Sequence, residues 1–262
     1  MQKLAFALVV AMLLAAPMSA QLVAPRGATP ELLIPAAGAV QGVNGTFFRS
    51  DITLINYRTT NQLVRLRWLP ENTPGTDVAP VDVTIGASSG IVSEDFVTTI
   101  LGRSGLGAIL VTAINSDGSV DENGRLFATA RIWTPQAGTT NGTTSQTFPT
   151  LSTADIPQTD RLAIIGQRRD DRYRLNVGIV NLGTARAQTF IVTVSAGSAQ
   201  TAETVVVPPS SIRQIALPGA ATSTLQITVQ NVTAGTQLPF VAYGSSVDNN
   251  TGDSWSSLAF TP

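Results

Sequence analysis

The 262-residue chain contains no cysteine and no histidine. Without cysteine it can form no disulfide and carry no lipid-modified thiol, so its folded units must hold on packed cores alone. Without histidine it lacks the commonest general base near neutral pH and the commonest metal ligand. Lysine occurs once, at Lys3, and every later cationic side chain is arginine. Charged residues make up 13% of the chain, where about a quarter is usual, and Thr, Ser, Asn and Gln carry the polar load instead. The formal net charge of −1 supplies no field to draw in nucleic acid or an anionic membrane.

The one long apolar run lies at the start. "MQKLAFALVVAMLLAAPMSA" (1–20) has Lys3, an apolar stretch from Leu4 to Ala16, then Pro17 and a small residue, Ala20. This is the layout of a secretory signal peptide cut after Ala20. The stretch is shorter than the about 20 apolar residues a bilayer span needs, and nothing later is long enough, so the mature chain has no transmembrane span. The expected location is secreted: extracellular, or in the periplasm or cell envelope.

What remains reads almost entirely as strands. "FFRSDITLIN" (47–56) puts Phe48, Ser50, Ile52 and Leu54 on one face and Arg49, Asp51 and Thr53 on the other, by the period of two. "YRLNVGIVN" (173–181) repeats the plan, with Tyr173, Leu175, Val177 and Ile179 on one face and Arg174 and Asn176 opposite. Asn56 and Asn181 end the two strands, where an Asn side chain closes an Asx-turn. The match runs on in order. "VRLRWLP" (64–70) corresponds to "FIVTVSA" (190–196) and "VTIGASSGI" (83–91) to "VVVPPSSI" (205–212). "ILVTAIN" (109–115) corresponds to "LQITVQN" (225–231), "FATARI" (127–132) to "FVAYGS" (240–245), and "LLIP" (32–35) to "LAII" (162–165). The expectation is a tandem duplication: an all-β protein of two antiparallel Ig-like β-sandwich domains, 21–136 and 158–262, after the signal peptide. Between them, 137–157 is Gly/Thr/Ser/Pro-rich and reads as a linker with one short strand near "TFPTL". Exposed edge strands of such sheets can recruit strands of other chains.

"GTFFRSDITLIN", "FATARIW", "YRLNVGIVN" and the closing "YGSSVDNNTGDS" resemble a group of secreted bacterial proteins with duplicated Ig-like β-sandwich units, for which no activity is established. The resemblance implies export and sandwich repeats. The first unit has "WTPQAGTTNG" where the second has "VDNNTGDS", so nothing about that ending carries over to it.

Candidate chemistry is sparse. "GASSG" (86–90) satisfies G-x-S-x-G with Ser88 as nucleophile, but that elbow needs a following helix and a base, and the chain has neither a His nor a Lys beyond position 3. Two carboxylates about 5 to 9.5 Å apart would serve glycoside hydrolysis. Asp51, Asp82, Glu94, Asp95, Asp121 and Glu122 are the acids to place. Asp117, Asp121, Asn123, Asp248, Asn250 and Asp253 sit in oxygen-rich loops that suit Ca²⁺, although the same residue types build tight turns. No other cofactor is expected. "RRDDRYR" (168–174) is the densest charge cluster, and Arg49 with Asp51 reads as an outward surface pair. For sugar binding the aromatic candidates are Trp68, Trp133, Trp255, Tyr57 and Tyr243, with Trp68 sharing the inward face of Val64 and Leu66. Trp133, Trp255, Arg49 and Arg174 are the candidate ligand contacts. The sequence therefore points to a non-catalytic, cell-surface or secreted protein for adhesion, scaffolding or surface interaction with an extracellular protein or glycan. A carbohydrate-binding module is the alternative, and a carboxylate-based glycoside hydrolase the third reading.

Overall fold

The computed structural model describes residues 24–25, 27–42, 45–136, 138–217, 225–236 and 238–262; the segment 1–20, expected to be a signal peptide, lies outside them. The chain is nearly all β, 57% strand and 4% helix. The first half contains β1 (Glu31–Gln41), β2 (Phe47–Asn56), β3 (Gln62–Pro70), β4 (Val81–Ile85), β5 (Ser89–Ser93), the one-turn helix α1 (Phe96–Thr99), β6 (Gly105–Ile114), β7 (Leu126–Pro135), β8 (Thr143–Phe148) and β9 (Leu151–Ser152). A 3-10 turn, Thr153–Asp155, leads to β10 (Arg161–Ile164), β11 (Tyr173–Asn181), β12 (Gln188–Ala196), β13 (Ala199–Val207), β14 (Ser211–Ala216), β15 (Gln226–Asn231), β16 (Phe240–Asp248) and β17 (Ser254–Leu258).

The strands pair antiparallel, and the pairing order is written twice. In the second half β10-β15-β12-β13 form one sheet and β14-β11-β16-β17 the other. In the first half β1-β6-β3-β4 and β5-β2-β7-β8 follow the same two orders. Here β1 links the sheets. It pairs with β6 from Glu31 to Ala39 through an irregularity between Ile34 and Ala37, and then gives Val40 and Gln41 to β2. The order differs from that of an immunoglobulin constant-type sandwich, where the first strand lies beside the second and the seventh beside the sixth. Here the first lies beside the sixth (β1–β6, β10–β15) and the seventh beside the second (β2–β7, β11–β16).

Register refines the expected correspondence. Asn56 stands opposite Leu126, and Asn181 opposite Phe240, so Leu126 and not Phe127 is the counterpart of Phe240. Leu126 and Phe240 are buried, whereas Phe127 faces outward; a slip of one residue exchanges the faces of a strand. Val64 opposite Ala113 and Phe190 opposite Asn231 likewise make Ala113 the counterpart of Asn231, two residues from the expected match, which leaves the faces unchanged. The 137–157 stretch holds more structure than a linker with one strand. Thr143–Phe148 is β8, zipped onto β7, and Leu151–Ser152 is β9, paired with β1.

One core lies between the sheets of each half: Ile52, Leu54, Val64, Leu66, Trp68, Ile109 and Val111 in the first, and Val177, Ile179, Phe190, Val192, Ile227 and Val229 in the second. Each strand reaches its core with alternate residues, the period the sequence carries. A third apolar cluster joins the halves. Leu33, Ala36, Leu69, Ala108 and Phe148 meet Val180, Ile212, Val241 and Tyr243. Tyr243 is fully buried there, edge-on to Phe148 at 5.2 Å between ring centroids, and its hydroxyl donates to Gln214 Oε1 at 3.0 Å. Gly178 makes the room, since a Cβ at that position would lie 2.1 Å from the tyrosine ring. Backbone bonds complete the seam: Asn72 N–H to the Ile212 carbonyl (2.9 Å) and Gly75 N–H to the Pro209 carbonyl (3.1 Å). Ser211 Oγ donates to the Pro70 carbonyl at 2.7 Å.

Candidate functional site

An open cleft of about 610 Å³ lies in the second half, lined by Ile165, Gly166, Arg168, Ser195, Leu225 and Gln226 among others. Its wall is the loop that follows β10, and buried hydrogen bonds hold that loop in place. Gln167 is enclosed; its amide donates to Ser257 Oγ (2.8 Å) and accepts from Ser246 Oγ (2.8 Å), while Arg168 N–H donates to Ser246 Oγ (2.8 Å). Gly244 beneath leaves the space for Gln167, because a Cβ there would lie 2.7 Å from the Gln167 side chain.

Beside the cleft, "RRDDRYR" resolves into separate tasks. Asp170 Oδ1 accepts the N–H groups of Arg172 and Tyr173, both at 2.9 Å, so this acid shapes the turn. Arg168 stacks on the Tyr173 ring at 4.3 Å and Arg172 approaches it at 5.2 Å, a cation–π arrangement. Trp255 meets Tyr173 edge-on at 5.5 Å and donates its indole N–H to the Gly166 carbonyl at 2.9 Å. Arg172 Nε donates to Asp248 Oδ2 at 2.7 Å. The N–H of Asn250, and then Arg172, hold the Asp248 carboxyl below the usual range. Arg169 is buried, and among the described residues its Nε and Nη1 have no hydrogen-bond partner, a feature nothing in its charge-rich sequence context signals.

The remaining sequence candidates are placed as follows. Asp117 Oδ1 accepts from the N–H and hydroxyl of Ser119 (2.9 and 2.6 Å), which hold its carboxyl low. Asp121 accepts from Asn123 N–H and pairs with Arg58. Asp248 Oδ1 accepts from Asn250 N–H, and Asp253 Oδ1 from Ser254 N–H. These oxygens close turns on their own loops, and among the described residues no three His, Cys, Asp or Glu converge as a metal-holding group. Asp51 pairs with Arg131 at 2.8 Å and Arg49 with Asp95 at 3.5 Å, in place of the expected Arg49–Asp51 pair. The reason is geometric: Asp51 and Arg131 are directly opposed across β2 and β7, about 5 Å apart at Cβ, whereas residues two apart on one strand are separated by about 7 Å. Asp82 is held by Arg65 through two bonds of 2.9 and 2.7 Å, and its carboxyl is lowered by them. The structure thus brings Asp51, Asp82, Asp95 and Asp121 each to an arginine; Glu94 contributes its carbonyl to the Trp133 indole N–H at 2.8 Å, and Glu122 lies exposed in the loop before β7.

Ser88 stands in the turn between β4 and β5, strand to strand, with φ +46°, and its counterpart Ser210 has φ +47°. Both donate their N–H across the sandwich end at 2.8 Å, Ser88 to Arg58 and Ser210 to Gly183. Trp68 and Tyr243 are interior, and Trp133 lies beside Arg49, 5.8 Å from its guanidinium. Arg174 is exposed and donates to Asn249 Oδ1 at 3.0 Å. Trp133 and Trp255 therefore lie in different halves, each tied by its indole N–H to a backbone carbonyl. Among the described residues no helix is long and apolar enough to cross a membrane.

No protein-family model matches this chain, and no curated protein matches it. Among solved structures it is similar to the crystal structure of Thermotoga maritima 1070, at a TM-score of 0.33 and 13% identity, over 40% of this chain and 95% of that one. At that level the likeness identifies neither a fold nor a function.

Proposed function

We propose that the chain is a secreted, non-catalytic repeat protein, two tandem β-sandwich domains of Ig-like size, that serves scaffolding, adhesion or surface interaction outside the cytoplasm. The observation that carries this reading is the apolar seam between the halves, in which Tyr243, Val241 and Ile212 lie buried against Leu33, Leu69 and Phe148. An interface of that kind holds two domains as one body and restricts their relative motion. The commitment of Asp51, Asp82, Asp95 and Asp121 to arginines and of both Ser-Ser turns to backbone geometry supports the non-catalytic side of it. Expression with residues 1–20 in a bacterial host, followed by fractionation and mass measurement, tests the export step. The expected species is outside the cytoplasm and begins at Gln21; an intact chain retained in the cytoplasm refutes it. Capture of a surface protein or polysaccharide by the purified chain from its native culture tests the binding step.

The Tyr173–Trp255 pair beside the cleft favours glycan binding as the second reading. Titration with a polysaccharide panel then changes tryptophan fluorescence, and Trp255→Ala abolishes the change.

A further inference from the structure

The seam between the halves uses two surfaces, and the duplication has written each of them a second time. On the receiving side, Ala36, Leu69 and Ala108 of the first half accept the second half. By the pairing register the counterparts of Leu69 and Ala108 in the second half are Ser195 and Gln226, and Gly166 lies two residues beyond Ile164 as Ala36 lies two beyond Ile34. Gly166, Ser195 and Gln226 all line the open cleft. The cleft is therefore the receiving surface of the seam repeated in the second half, and among the described residues nothing fills it.

On the inserting side, the second half presents the outer face of β14-β11-β16-β17, through Val180, Val241 and Gln214. Their counterparts on the first half are Ile55, Phe127 and Val92. Ile55 and Phe127 are cross-strand partners, as Val180 and Val241 are. Val92 is opposite Thr53, as Gln214 is opposite Gly178. This face is open too. Val92 is 70% exposed and Ile165, at the cleft, is 55% exposed, the two highest values among the exposed large hydrophobics of the described residues. Ser211, which inserts against Pro70, is fully buried, whereas its counterpart Ser89 is exposed.

We propose that the protein associates with further copies of itself head to tail. The outer face of β5-β2-β7-β8 of one copy docks into the cleft of the second half of the next, repeating between chains the contact made within each chain. This goes beyond the reading above by naming a partner, and it does not depend on export. Different surfaces meet, so the contact is heterologous and propagates as a linear series. Ser195 and Gln226 stand where Leu69 and Ala108 stand in the seam, so the contact between chains is more polar than the internal one and exchanges more readily. In the docked pair Ser89 Oγ is positioned to donate to the Ala196 carbonyl, as Ser211 Oγ donates to Pro70. The "GASSG" turn that resembles a nucleophile elbow is then the tip of the inserting face.

Sedimentation velocity on the purified protein over a concentration series tests this. The wild-type mass rises with concentration, and Val92→Arg and Ile165→Arg each raise the concentration needed by at least about tenfold. An equimolar mixture of the two variants forms dimers and nothing larger, because the intact face of Ile165→Arg fits the intact cleft of Val92→Arg. Gln226→Arg, on the cleft wall, blocks in the same way as Ile165→Arg. Unchanged melting temperatures establish that the variants fold, as expected for exposed positions. A wild-type protein that stays monomeric up to about 1 mM, a variant that assembles like wild type, or a variant mixture that stays monomeric overturns the proposal. The export and adhesion reading would survive any of these results.

Discussion

Replacing Asn181 by alanine removes the hydrogen-bonding centre of the second sandwich. Its side chain is fully buried at the end of β11. The amide nitrogen donates to the carbonyls of Arg186 (3.2 Å), Val207 (3.1 Å) and Pro208 (2.9 Å). The amide oxygen accepts from Gly183 N–H (2.9 Å) and Gln188 Nε2 (2.7 Å). One side chain thereby ties the β11–β12 loop to the β13–β14 turn across the two sheets. A net hydrogen bond contributes about 1 kcal/mol, and each buried group left without a partner costs about 1–3 kcal/mol. Three of the five bonds are wholly buried, so Asn181→Ala should destabilise the protein by about 3–5 kcal/mol, a large share of a typical domain's stability. Urea unfolding followed by circular dichroism measures it. Asn56 makes the same clamp in the first half, to Thr60, Ile85, Gly86 and Arg58, but with no glutamine donor on its oxygen. Its alanine variant should lose about 1 kcal/mol less. If Asn181→Ala costs under about 1 kcal/mol, the clamp is not what holds the sandwich end and the reasoning fails.

Glu71 lies half-buried at the seam, and burial raises its pKa above the ordinary 4.5 despite the Gln214 N–H and Arg213 that oppose the shift. A raised carboxyl pKa makes the contribution of Glu71 itself complete below pH 4.5 and lost as pH rises through the folded-state value. Glu71→Gln, which still accepts from Gln214, should flatten thermal stability between pH 4 and 7, and a variant that keeps the wild-type slope contradicts this. Gly178→Ala drives a methyl into the Tyr243 ring and should cost about 1–3 kcal/mol by thermal melting, with partial recovery in Gly178→Ala/Tyr243→Leu. Ser88→Gly and Ser210→Gly relieve left-handed backbone at φ +46° and +47° and should raise the melting temperature or leave it unchanged, by up to about 1 kcal/mol each. A marked loss of stability in either would mean the serine hydroxyl matters more than the turn.

The pairing plan is legible because β2, β3, β11 and β12 alternate through their middle residues and the strands β2 and β11 close on an asparagine, so period and punctuation agree; the outward apolar residues Leu69 and Val180, which break the alternation, are those the seam buries. The slip at β7 and β16 came from residue type: Phe127 and Phe240 look alike but face opposite ways, and only the ladder fixes which side of a strand is inward. The expected Arg49–Asp51 pair fails for a related reason. Asp51 finds Arg131 across the sheet, and sequence neighbours on a strand do not touch, while the partner strand lies 80 residues away in the chain. The cleft was out of reach, because it is defined by what the second half lacks relative to the first.

That comparison between copies carries the most information. Where β2 keeps Thr53 facing outward, β11 has Gly178; where β7 has Thr129, β16 has Tyr243. Every residue of β16 is buried, as expected for a strand covered on both faces. The change from threonine to a glycine–tyrosine pair converts a solvated face into an apolar one with a slot for its own ring. On the receiving side the changes run the other way, from Leu69 and Ala108 to Ser195 and Gln226. The duplicated unit therefore holds one inserting face specialised for permanent burial and one receiving face specialised for it, both spent inside the chain. The other inserting face and the other receiving face retain their place in the strand order, the first with Thr53 and Thr129 among apolar residues and the second with Ser195 and Gln226, and a mixed composition of this kind is expected of surfaces that meet reversibly.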